Sequence, residues 1–262
     1  MKIKNSTLII SIFVSINCCF IQSPVDKIIK LIIENQKISK EDIQNVKNLE
    51  DLRILRNSIF AKHGRLFNDK NLKSFFEKQS WYSPKKDSQI TLTEIDKINL
   101  NLIRNSESSI QIEDFLNQPK KKNMNNLEIA IIGDWDNQPV SSSGYGNKHS
   151  FLENGLVKIY EDENDCQKQL IASFGTWKID NNNIQIILSK KLLRKDGQLI
   201  PASGSCGSDF ELIDGYLIFE DIIPTLKIEY KNIELTNNIY DESADNKSMM
   251  KTDKLNLFRL PK

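Results

Sequence analysis

RNSIFAKHGRLF, Arg56 to Phe67, reads as the closing turns of a helix. Leu52, Leu55 and Ile59 recur at three- and four-residue spacing, as one buried helical stripe requires. Gly64 then supplies the left-handed residue that commonly ends a helix. Downstream, NDKNLKSFFEKQ starts a second helix, capped by Asn68 or Asp69, with Leu72, Phe75 and Phe76 on one side; WYSP breaks it. TLTEIDKINLNLIRNSE makes a third, capped by Thr93, with Ile95, Ile98 and Leu102 inward. The expectation is a three-helix module over residues 39–116. Phe60, Phe67, Phe75, Phe76, Trp81 and Tyr82 offer it an aromatic core, and Ala61 leaves room for close packing. Arg56 is expected to pair with Glu94 or Asp96 on the third helix.

His63 lies in the last turn of the first of these helices, where a ring donor meets free carbonyls. It has neither a cysteine partner nearby nor a serine in a nucleophile motif, so its role reads as structural. No catalytic residue is assigned, and the binding residues stay open.

Further outward, MKIKNSTLIISIFVSINCCF opens the chain with two lysines and a short apolar run. That is the plan of a secretory signal, with too few apolar residues for a stable membrane span. SINCCF resembles a bacterial lipoprotein signal, which implies lipidation at Cys18 or Cys19; the usual small residue before the cysteine is replaced by Asn17. Residues 1–18 are the expected signal peptide, with ordinary secretion as the alternative. Acyl chains at the new N-terminus would hold the protein on a membrane of the cell envelope. Residues 19–38 then read as a tether or short helix.

The chain carries 36 basic and 35 acidic side chains, and loss of Lys2 and Lys4 leaves it close to neutral. No field of one sign exists to attract nucleic acid. Cys166 and Cys206 remain beyond the signal, and in an exported chain an even pair reads as a disulfide.

NQPKKKNMNN, residues 117–126, reads as a linker, because the periodicity changes across it. Beyond it LEIAII, GLVKIY, TWKI, IQIIL, FELI, YLIF and LKIEY alternate as strands. DNNN joins TWKI to IQIIL, and Asp214-Gly215 is expected to turn FELI into YLIF as a tight hairpin. KLNLFRLP reads as a closing strand, and NNIYDESADNKSMMKTD as a loop. Residues 127–262 are thus expected to form an antiparallel barrel or sandwich. The chain as a whole reads as a multidomain α and β protein.

The helical region closely resembles the YARHG domain, a small bacterial extracellular module. Phe60-Ala61-Lys62-His63-Gly64 stands where that family has Tyr-Ala-Arg-His-Gly. Arg56-Asn57 before the motif, Phe67 after it, and SFFEKQSWYSP with Trp81 and Tyr82 agree as well. The resemblance runs from Leu49 to Glu107 and implies an all-helical extracellular domain of unestablished molecular role. GDW at Gly133–Trp135 and GTWKIDNNNIQI from Gly175 resemble short elements of lipocalin-like domains. That implies an antiparallel barrel able to hold an apolar ligand. The alternative is a barrel filled by its own side chains, with Trp135 and Trp177 in the core.

Other segments offer less. SGSCGSD around Cys206 fits a bridge better than a nucleophile turn. EDENDC lacks the oxygen-ligand spacing and glycine of a calcium loop. GYGNK lacks the ending of a phosphate loop, and His149 beside it is expected to be exposed. Neither a metal nor a cofactor is expected. The functional expectation is a non-enzymatic, lipid-anchored envelope protein with a binding or interaction role. A lipocalin-like carrier is the first alternative and an envelope hydrolase the second.

Overall fold

The computed structural model describes residues 23–86, 89–121, 123–139, 146–162, 165–204, 207–237 and 248–260. Cys18, Cys19 and Cys206 lie outside them. Six helices occur among the described residues: α1 Pro24–Ile33, α2 Lys40–Ile43, α3 Leu49–Ala61, α4 Lys70–Phe76, α5 Glu94–Leu116 and α6 Asn126–Ile131. The expected count of three corresponds to α3, α4 and α5.

Residues 19–38 were expected as a tether or a short helix, and Pro24–Ile33 forms the helix α1. Ser23 caps it, and Pro24 at its first position has the fixed φ a helix start needs. Ile28, Ile29 and Ile32 form a stripe buried against Leu52, Leu55, Ile59, Leu100 and Ile103. The segment between α1 and α2 is pinned from α5: buried Asn99 accepts from the Ile38 N–H at 2.9 Å and donates to the Gln36 carbonyl at 2.8 Å. An amide with both ends engaged can be buried at little cost. The aromatic cluster falls where expected, with Phe67 stacked on Phe76 at 4.9 Å and Trp81 edge-on to Phe76.

Eleven strands follow among the described residues: β1 Gly133–Asp136, β2 Lys148–Phe151, β3 Leu156–Tyr160, β4 Leu170–Asp180, β5 Asn183–Lys195, β6 Gln198–Pro201, β7 Phe210–Ile213, β8 Tyr216–Tyr230, β9 Glu234–Asn237, β10 Ser248–Lys251 and β11 Asn256–Arg259. Nine form one antiparallel sheet in the order β8-β5-β4-β3-β2-β1-β11-β10-β9; β6 and β7 pair separately. Among the described residues the sheet is not closed by hydrogen bonds into a barrel. It is strongly coiled nonetheless, since β8 and β9 stand at its two edges yet only residues 231–233 separate them. So short a connection spans roughly 14 Å at most. A flat sheet of this many strands would set its edges nearly 40 Å apart, on the order of eight spacings of 4.8 Å. Both edges accordingly feed one core, in which Tyr230, Ile233 and Met250 join Trp135, Phe151, Val157, Trp177 and Ile186.

Four segments depart from expectation. LEIAII is the helix α6, because Asn125 and Glu128 form a capping box that favours the helix over an extended run. SMMK within the expected loop is β10, both of whose methionines are buried. KLNLFRLP does return as a strand, β11, but it pairs with β1 and β10 inside the sheet. Asp214-Gly215 is no hairpin turn: β7 pairs with β6, and β8 with β5. A second Asp-Gly, Asp196-Gly197, lies opposite it. Asp196, Asp214 and Gly215 all have positive φ, so the long ribbon of β5 and β8 kinks there and continues as β6 and β7. A Cβ on Gly215 would lie 2.3 Å from the Lys195 carbonyl oxygen, so only glycine fits the crossing.

The expected linker is held at both ends. Asn154 donates to the Leu116 carbonyl at 2.9 Å, the Lys121 N–H reaches the Glu153 carbonyl, and Lys121 pairs with buried Glu128 at 2.6 Å. Moreover α5 lies directly on the sheet. Ile112, Phe115 and Leu116 pack against Ala172, Phe174, Leu192 and Phe219, so helices and strands share a hydrophobic cluster across the boundary.

Candidate functional site

The sequence motif at the end of α3 organises a buried ion cluster. The Arg65 N–H bonds the Phe60 carbonyl and the Gly64 N–H that of Ala61, with Gly64 at φ +88°. These are the paired bonds of a Schellman cap. They turn Lys62 and His63 toward Asp96 in the first turn of α5. Lys62 Nζ is 2.5 Å from Oδ1, and His63 Nε2 is 2.8 Å from Oδ2. Asp96 is fully buried, and it also accepts from the Thr93 N–H and hydroxyl to cap its own helix. Burial opposes its charge, but these partners prevail and hold its pKa at about 2. Lys62 donates as well to the Ile32 carbonyl at 3.0 Å, tying in α1. The His63 ring therefore spends its Nε2 on a carboxylate of another helix, rather than on the carbonyls of its own.

Arg56 does not reach Glu94 or Asp96. Its Nε meets Glu107 Oε1, further along α5, at 3.0 Å. Asn57 donates to the Arg53 carbonyl within α3. Ala61 is buried against the aromatic cluster, over which Trp81 packs. The Tyr82 hydroxyl donates to the Arg65 carbonyl.

Where α3, α5 and β8 converge, a cleft of about 440 Å³ opens, lined by Arg53, Arg56 and Arg104, by Glu50 and Glu107, and by Tyr216. Its floor is fixed by two bonds from α5 to one residue of β8. The Leu217 N–H donates to Asn105 Oδ1 at 2.6 Å, and the Ser108 hydroxyl donates to the Leu217 carbonyl at 2.8 Å. These side chains take the place of a neighbouring strand at that point of the sheet edge. The Arg104 guanidinium lies 3.9 Å from the Tyr216 ring centroid, in a cation–π stack. Sequence reading missed Arg104 because nothing in the helical period tells which strand the exposed side of α5 will meet.

His149 is buried, contrary to the expectation of exposure. It stacks on Phe151 and its Nε2 lies 3.1 Å from the Tyr230 hydroxyl, inside the coiled sheet. Burial pushes its pKa down to about 4, so it is neutral in the folded protein at neutral pH. Alternation along KHSF carries the signal that was missed: His149 and Phe151 share a face. Trp135 and Trp177 lie in the same core, and Trp135 donates to the Ile131 carbonyl at 2.7 Å. Arg259 stacks on Trp135 and donates to the carbonyls of Ala130 and Ile132 at the end of α6. Cys166 sits beside β7, its carbonyl accepting from the Leu212 N–H at 2.8 Å.

Among the described residues, no group of three His, Cys, Asp or Glu side chains could hold a metal ion. No helix among them is long and apolar enough to cross a membrane.

Residues 26–108 match the YARHG domain. The match begins inside α1 and ends within α5, so it takes in most of the first helix, which lies before the expected domain start at residue 39. The Lys62–His63–Asp96 cluster, α3 and the part of α5 up to Ser108 lie within its span. The domain is typically extracellular or periplasmic. No curated protein and no solved structure matches the chain.

Proposed function

We propose that this is an exported, lipid-anchored envelope protein that acts by binding, with the cleft between the YARHG helices and β8 as its site. The observation that carries the reading is the cleft itself. It lies where two differently built parts of the chain meet, and it gathers three arginines and an aromatic ring beside ordered backbone. Concave junctions of this kind are common places for small ligands. The polar residues of the YARHG motif are committed elsewhere: Lys62 and His63 both engage Asp96, and His149, outside the motif, is buried as a neutral ring. Those engagements favour a binding role over hydrolysis. The carrier alternative is disfavoured by the inner face of the sheet, which Trp135, Phe151, Trp177 and Ile184 fill.

Lipidation at Cys18 or Cys19 belongs to the same proposal, and so does a Cys166–Cys206 disulfide. The position of Cys166 against Leu212, a few residues beyond Cys206 in the chain, supports that pairing. The function is tested by NMR titration of the full chain with the small-molecule fraction of a bacterial envelope extract. Saturable shifts at Arg104, Tyr216 and Leu217 are expected. Shifts confined to other surfaces would overturn the reading.

A further inference from the structure

We infer that the cleft recognises a monocarboxylate carried on an apolar body, such as the terminal residue of a peptide. This rests on the reading of the cleft as a binding site and names its ligand class. The three arginines differ in what they have left to offer. Arg53 is engaged at both terminal nitrogens, pairing with Glu50 at 3.0 Å and with Asp69 at 2.7 Å. Arg56 gives its Nε to Glu107, and its two terminal nitrogens carry no hydrogen bond among the described residues. Arg104 pairs with no carboxylate among them; its guanidinium lies over the face of Tyr216.

Stacking on a ring leaves the N–H groups of a guanidinium directed outward in its own plane. A carboxylate matches that fork with two parallel hydrogen bonds. The tyrosine face fixes the plane beforehand, so little side-chain freedom is lost on binding. The sign and size of the charge follow from the same lining. Arg53 is balanced by Glu50 and Asp69 and Arg56 by Glu107, so Arg104 is the one cation of the lining without a carboxylate partner among the described residues. That balance suits a monoanion, whereas a phosphate dianion would meet stronger repulsion from the two glutamates. Leu49, Leu217 and Phe219 supply apolar wall beside the arginines, which calls for an apolar group next to the acid. The volume is at the small end of ligand clefts and fits a fragment rather than a long chain.

The test uses hippurate, a carboxylate on an aromatic body, and hippuramide, its neutral amide, each titrated into the full chain by NMR. Hippurate should shift the Tyr216 ring and Arg104 Nε resonances saturably, with hippuramide at least about tenfold weaker. Arg104→Gln should weaken hippurate by about tenfold or more, and Arg104→Lys, which keeps the charge but loses the planar fork, should fall between. Denaturation midpoints establish that each variant is folded; should the glutamine variant not fold, the lysine variant decides. Equal binding of acid and amide at the cleft overturns the carboxylate inference while leaving the binding reading intact. A cleft silent to both probes, yet shifted by the envelope extract, also removes the inference alone. Silence toward probes and extract together removes both.

Discussion

At the scale of single residues, the YARHG motif acts as a lock between α3 and α5. Asp96→Asn would leave the Lys62 ammonium, only 10% exposed, beside a neutral amide. Breaking a buried pair from one side costs about 3 kcal/mol, and the full chain's denaturation midpoint should fall accordingly. The Asp96 pKa lies below the ordinary 3.8, so its stabilisation is present above pH 3.8 and is lost as pH falls through about 2. Gly64→Val puts a branched residue at φ +88°, with its Cβ 3.1 Å from Lys85 and 3.2 Å from the Ser83 carbonyl. A loss of about 2 kcal/mol is expected in the same assay. His149 acts in another pH window. Its folded pKa of about 4 lies below the ordinary 6.5, so the unfolded chain takes up the proton first. Stability is full above pH 6.5 and declines as pH falls toward 4, by about 3 kcal/mol in all. Tyr230 faces the ring, and nearby Asp136, whose carboxyl burial pushes upward, contributes with the opposite sign. The difference between wild type and His149→Phe therefore isolates the histidine, and a difference that does not vary between pH 4 and 7 would refute its burial as a neutral ring. The cap at Gly64 was legible because left-handed helix ends have a strong residue preference. The partner of His63 was not, since Asp96 is 33 residues away and only the packing of two helices brings it close.

Among the elements, long periodic stretches were readable and some of the short ones were not. Although α5 buries Leu100 and Ile103 while Ile98, expected inward, is exposed, the helical period of α3 and α5 and the alternation of β3, β4 and β5 repeat often enough to identify the elements. Six-residue α6 and four-residue β10 do not; each depends on local capping or on strands arriving from elsewhere. Asp-Gly was read as a hairpin because positive φ at adjacent residues usually reverses a chain. Here two Asp-Gly pairs face one another, with positive φ at Asp196, Asp214 and Gly215, and the combined effect is a kink in a continuing ribbon. That ribbon is where the proposed bridge would act. In the chain-entropy model, a Cys166–Cys206 disulfide stabilises by about 4 kcal/mol. Cys166→Ser should lower the denaturation midpoint under oxidising conditions and leave it unchanged under reducing ones. Two freely alkylated thiols in protein isolated from the envelope, read by intact mass, would refute the pairing.

For the whole molecule, residues 117–126 prove less important than the contact that bypasses them. The change of periodicity there is real, but sequence texture cannot tell whether two textures pack together. Phe115 decides it, lying edge-on to Phe174 and Phe219 from the last turns of α5. Phe115→Ala should cost about 3 kcal/mol and lower the stability of helices and sheet alike. The cleft exists only if these parts form one body, so their cooperativity is the central claim. Urea denaturation of the purified Trp81→Phe protein tests it most directly, with far-UV circular dichroism following the helices and Trp135 and Trp177 fluorescence following the sheet. A single shared midpoint is predicted; two transitions with separate midpoints would contradict the account.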